Sequence, residues 1–218
     1  MKTLLRELQE QRWDDHRYYH RSRVNQSLHL VSAISFLTAY IQIIALNPTV
    51  AALMGWGVAM MTRQAGHFFF EPKDYDQVNR VTHSYKESIK IGYNLKRKVI
   101  LLSIWVMTPV LLWVNPSVFG VFGPNNTWGG YIYNLSVLWI TLGAAALLFR
   151  TVHLFFIRDV NTGLVWLLKI LTDPFHDIKL YYRSPFYLLR GQFIDPMTDV
   201  IARSGSDEFP GGDDSVRT

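Results

Sequence analysis

Seven histidines and no cysteine set the limits of the chemistry open to this 218-residue chain. Without cysteine there is no thiolate ligand, no redox pair and no cysteine nucleophile, so nitrogen and oxygen donors remain. Their spacing is regular: His16 and His20 are four apart, Asn25 and His29 repeat the interval, and Arg63, His67 and Glu71 repeat it twice. On a helix, residues four apart lie on one face. A single histidine near a membrane surface is ordinarily a packing residue whose ring nitrogens reach water. Three imidazoles and a carboxylate at one level of a helix bundle (His20, His29, His67 and Glu71) are instead the donors of a nitrogen/oxygen metal site.

The elements that must position these residues are marked by charge. No Asp, Glu, Lys or Arg occurs from Val24 to Met61, and none from Val99 to Phe149. A soluble core does not tolerate such runs, whereas a helix needs roughly 20 apolar residues to cross a bilayer. Each run has an internal break, at Asn47-Pro48 and in the Gly/Pro/Asn-rich stretch from Asn115 to Gly130. The pattern predicts four transmembrane helices, over about residues 28–46, 49–70, 99–114 and 131–157. The expected fold is an all-α, four-helix integral membrane bundle made of two helical hairpins. In the first hairpin the start of one span lies beside the end of the next, which makes His29 a neighbour of His67 and Glu71.

Basic residues then orient the chain. Arg6, Arg12, Arg17, Arg21 and Arg23 precede the first span. Lys73, Arg80, Lys86, Lys90, Lys96, Arg97 and Lys98 separate the hairpins, and the other two loops carry no charge. Both termini are therefore expected in the cytoplasm, of a bacterial inner membrane or the endoplasmic reticulum. All seven histidines then fall on the cytoplasmic side. The net charge of +5 follows from this topology and needs no nucleic acid. Channels and transporters are disfavoured because no charged residue is buried in mid-span. Residues 1–157 read as the membrane core with an N-terminal helix. Residues 158–202 read as a short amphipathic helix and an aromatic-rich interfacial segment, and 203–218 as a disordered polar tail.

Two motifs in this frame carry a likeness. The chain reads His20-RSRV-Asn25-QSL-His29 at the start of the first span and Gly66-His67-FFF-Glu71 at the end of the second. These patterns, H-x4-N-x3-H and G-H-x3-E, resemble those of the Mpo-like membrane 2-hydroxy fatty acid dioxygenases, which use Fe(II) in fatty acid α-oxidation. The likeness covers roughly residues 15–75. It implies His20, His29 and His67 as iron ligands, and Glu71 as a further ligand or a group that orients an imidazole. Asn25 is implied as a hydrogen-bonding partner of ligand or substrate, while His16 and His83 lie outside the motifs as weaker candidates. The implied reaction shortens a 2-hydroxy fatty acid by one carbon with O2. Arg63, one turn before His67, is then a candidate for the substrate carboxylate, or else a snorkelling anchor. Two other readings stand beside this one. A di-iron lipid hydroxylase is suggested by the H-x3-H of His16 and His20. A non-catalytic helper subunit or scaffold would dock a protein partner through the C-terminal segment.

Overall fold

Short polar stops and capping side chains divide the chain into helices. The structure is a computed structural model that describes residues 4–123 and 127–197, so the expected tail at 203–218 lies outside the described residues. Every regular element among them is helical. Helix α1 (Leu4–Tyr19) ends at an elbow from which α2 (Arg23–Ile44) starts, with Ser22 as N-cap accepting from the Asn25 amide. A tight turn with Leu46 at φ 56° leads to Asn47, which caps α3 (Pro48–Ala52), with Pro48 in its first turn.

The chain stays helical from Pro48 to Phe69 but not uniformly. After α3 it widens into a π-helix (Leu53–Met60) and then resumes as α4 (Met61–Phe69). A π segment changes the angular register of the helix beyond it, here the turn bearing Arg63, Gly66 and His67. Small residues let α2 lie close along this run: Ala33 and Ala39 are buried, as are Ala51, Ala52 and Ala59, and a Cβ at Gly55 would stand 3.5 Å from that of Ala39. Close approach through Gly and Ala is how helices associate where lipid offers no hydrophobic drive.

A loop and the short α5 (His83–Ile89) lead to α6 (Leu95–Val114) and α7 (Trp128–Ile157), capped by Asn94 and Thr127. Pro109 inside α6 lacks an N–H, which frees the carbonyl four residues back. That carbonyl, of Trp105, accepts from the Thr108 hydroxyl at 2.6 Å. Among the described residues, three helices are long and apolar enough to cross a membrane: Arg23–Ile44, Lys96–Val114 and Trp128–Ile157. Their outer faces expose Ile34, Ile41, Val106, Trp113, Phe149 and Phe156, a surface suited to lipid.

The chain after Arg158 is more than a short interfacial helix. Asp159 caps α8 (Val160–Tyr181), which runs 22 residues and packs against α1, α2 and α7. Lys169, Asp173, Asp177 and Tyr181 form a stripe at four-residue intervals, and all four are buried. A charged stripe ordinarily marks the solvent face. Here it is internal because α1 and α4 supply opposite charges: Lys169 meets Asp15 at 2.7 Å, Arg12 meets Asp173 at 3.2 Å and Arg63 meets Asp177 at 3.0 Å. After α9 (Ser184–Leu189) the chain returns to the α1–α2 elbow. The Arg23 amide donates to the Phe193 carbonyl at 2.8 Å, and the Asp195 amide to the Arg21 carbonyl at 2.8 Å.

Candidate metal centre

The elbow, α2 and α4 bring three imidazoles together. Ligand nitrogens of His20, His29 and His67 all lie within 4.8 Å of one another. The Nε2 atoms of His20 and His29 are 3.2 Å apart. The ring centroid of His67 lies 5.5 Å from that of His20 and 4.9 Å from that of His29. His29 is fully buried and His20 nearly so.

Local chemistry orients two of these rings. The Asp15 carbonyl, in the last turns of α1, has a second lone pair beyond its bond within the helix, and it accepts the His20 Nδ1–H at 2.9 Å. His67 Nδ1 donates to Glu71 Oε2 at 2.6 Å, one helical turn away. The His20 ring, and the His67 ring while Glu71 is ionised, are thereby fixed as tautomers with an unprotonated Nε2, the form that binds metal. Burial, and then the neighbouring His29, hold His20 well below the ordinary imidazole value, which keeps it neutral. Burial also pushes the Glu71 carboxyl up to about 6, against the pull of Lys90 and Lys98.

The donor set fits a divalent ion. Two nitrogens bound at about 2.1 Å to one ion stand roughly 3.0–3.4 Å apart, which the His20–His29 contact already matches. Two buried polar atoms at the site lack hydrogen-bond partners, His29 Nδ1 and Asn25 Oδ1. Asn25 itself is held by its amide, which donates to the Tyr19 carbonyl at 2.9 Å. A Cβ at Gly66 would lie 2.2 Å from Asn25 Oδ1 and 3.4 Å from the His29 ring, so the G-H motif needs its glycine for α4 to reach α2.

The remaining candidates separate. Arg63 is engaged by α8, at 3.0 Å from Asp177 and 3.7 Å from Asp173. His16 stands one step outside the trio, its Nδ1 3.2 Å from the Tyr181 hydroxyl, and burial lowers it to about 4. His83 belongs elsewhere, with its Nδ1 3.0 Å from the Tyr18 hydroxyl.

Sequence reading missed two neighbours of the trio, both on α8. Asp177 Oδ2 is 3.6 Å from His29 Nδ1. The Tyr181 ring lies 5.9 Å from His20 and 6.3 Å from His29. The signal that points to them is the four-residue stripe from Lys169 to Tyr181. No family model, curated protein or solved structure matches this chain.

Proposed function

We propose that this chain is a membrane-embedded, Fe(II)-dependent dioxygenase that shortens 2-hydroxy fatty acids, or a related lipid acid, by one carbon. In this reading it has four spans with both termini in the cytoplasm, the run from Pro48 to Phe69 being the second span. The observation that carries it is the convergence of His20, His29 and His67, the three residues picked out by the two motifs. Fe(II) bound there supplies O2 activation and a chelation point for a 2-hydroxy acid.

The chain's own residues do the rest. Three imidazoles leave room around an ion for substrate and O2. The Asp15 carbonyl and Glu71 aim two of them. A groove of about 420 Å³ opens at this end of the molecule between Arg21 and Ser22 on one side and Phe69, Phe70 and Glu71 on the other. Exposed Phe69 and Phe70 offer an acyl chain an apolar wall, while Arg21 at the groove's edge is paired with Asp74. Among the described residues this is one group of three histidines, which favours a single ion over a di-iron pair.

The test is metal content by elemental mass spectrometry after purification in mild detergent, followed by O2 consumption with 2-hydroxy fatty acids. Near-stoichiometric iron with a product one carbon shorter supports the reading. A protein that takes up no iron after anaerobic Fe(II) addition defeats it. Bound iron without turnover of any 2-hydroxy acid leaves a metal protein of another activity.

A further inference from the structure

Two of the three clustered histidines have a fixed acceptor for Nδ1: a backbone carbonyl for His20 and a carboxylate for His67. His29 does not. Its ring is fully buried, its Nδ1 has no hydrogen-bond partner, and the nearest carboxylate oxygen, Asp177 Oδ2, stands 3.6 Å away.

Proton counting explains the difference. A carbonyl only accepts, so the His20 Nδ1 that meets Asp15 carries the proton and its Nε2 is bare. The 3.2 Å contact between the two Nε2 atoms then requires its proton on His29 Nε2. That leaves His29 Nδ1 bare and facing a carboxylate, two acceptors that cannot bond, in keeping with the 3.6 Å gap. A cation placed between the two Nε2 atoms demands the other tautomer of His29, with the proton on Nδ1.

We propose that Asp177 is the positioning residue of His29: when His29 binds metal through Nε2, its Nδ1–H donates to Asp177 Oδ2. The inference rests on the metal-site reading of the trio. Arg63 Nη1, 3.0 Å from the same Oδ2, holds that carboxylate in place and leaves it able to accept a second bond. Because Asp177 sits on α8, metal at the α2–α4 end is tied to a helix that lies outside both motifs. Loss of such an orienting partner costs a site about 10–100-fold in metal affinity.

The test uses Zn(II), a diamagnetic probe, with the full chain in detergent. Zinc affinity is read by chelator competition and the His29 ring by ¹⁵N-histidine NMR. Wild type should bind zinc with His29 ligating through Nε2 and its Nδ1–H held in a slowly exchanging hydrogen bond. Asp177→Asn should lose about 10–100-fold in affinity and release that proton to fast exchange. Asp177→Glu should recover most of the affinity, and Arg63→Met should keep the Nδ1–H bond. Ligation of His29 through Nδ1, or a freely exchanging Nδ1–H in zinc-loaded wild type, overturns the proposal even if no variant folds. Unchanged affinity in folded Asp177→Asn overturns it while the metal site stands. Failure of wild type to bind zinc overturns both.

Discussion

Asn25 and Gly66 occupy one space: the Asn25 side-chain oxygen stands 2.2 Å from where a Cβ on residue 66 would be. This contact joins the two motifs, since Asn25 lies one turn before His29 and Gly66 directly precedes His67. Gly66→Ala must push Asn25 aside or move α4 away from α2, at a cost of about 1–3 kcal/mol for overpacking. The expected outcome is lower thermal stability in detergent together with weaker metal uptake. Asn25→Ala in the same chain should restore part of both, because it removes the atom in the way. Equal damage with and without Asn25 would place the fault elsewhere.

Glu71 should give metal binding a pH dependence. Its carboxyl is raised by burial to about 6, so the fold favours its protonated form. By linkage, its contribution to the stability of the metal-free protein is complete below its unfolded value and is lost as pH rises through about 6. Metal binding has the opposite sign, because the ionised carboxylate is the better acceptor for the His67 Nδ1–H. Zinc affinity should therefore climb as pH rises through about 6. Glu71→Gln should flatten that climb and lower affinity about 10-fold or more. A chelator-competition titration across this range checks both.

Asp76 is the buried anchor of the loop after α4. Arg17 grips it with both nitrogens, at 2.7 and 2.9 Å, and Lys86 meets it as well. It also accepts the Val78 and Asn79 amides. Burial alone would raise its carboxyl, but Arg17 and Lys86 outweigh that and hold it well below the usual range. A carboxyl lowered on folding stabilises fully above its unfolded value near 3.8 and ceases to do so as pH falls through its folded value. Asp76→Asn leaves two buried cations short of charge, at a cost of about 3 kcal/mol. Thermal melts at neutral pH should show that loss, and it should shrink in acid.

Topology can be read directly because the chain has no cysteine. Single cysteines introduced as Ser88→Cys, on α5, and Val121→Cys, in the loop after α6, mark the two sides of α6, and both sites are exposed. With cytoplasmic termini, a membrane-impermeant maleimide should label position 121 in intact cells and position 88 only after permeabilisation. The reverse pattern, or labelling of both in intact cells, would reject the proposed orientation.

The N-terminal half of the site was legible in the sequence for a local reason. Helices satisfy their own backbone, so charge-free runs and polar stops identify α2, α6 and α7 without any partner. Residues four apart share a helical face whatever the surroundings, but His20, His29 and His67 sit on different elements, and they were grouped by the expected hairpin and by the resemblance of the two motifs. The same local rule misread α8. Its segment reads as a short interfacial helix, yet it runs 22 residues, and the arrival of Asp15, Arg12 and Arg63 from far along the chain turns its stripe of Lys169, Asp173 and Asp177 inward. Tertiary structure likewise sorted His16 and His83 from the trio, through Tyr181 and Tyr18. It also introduced the π-helical stretch before Arg63 and engaged that arginine with α8. Sequence thus marked the long apolar helices and which side chains within a helix share a face. Packing decided which charges meet, because pairing energy depends on distance in space and burial, and neither is written in the order of residues.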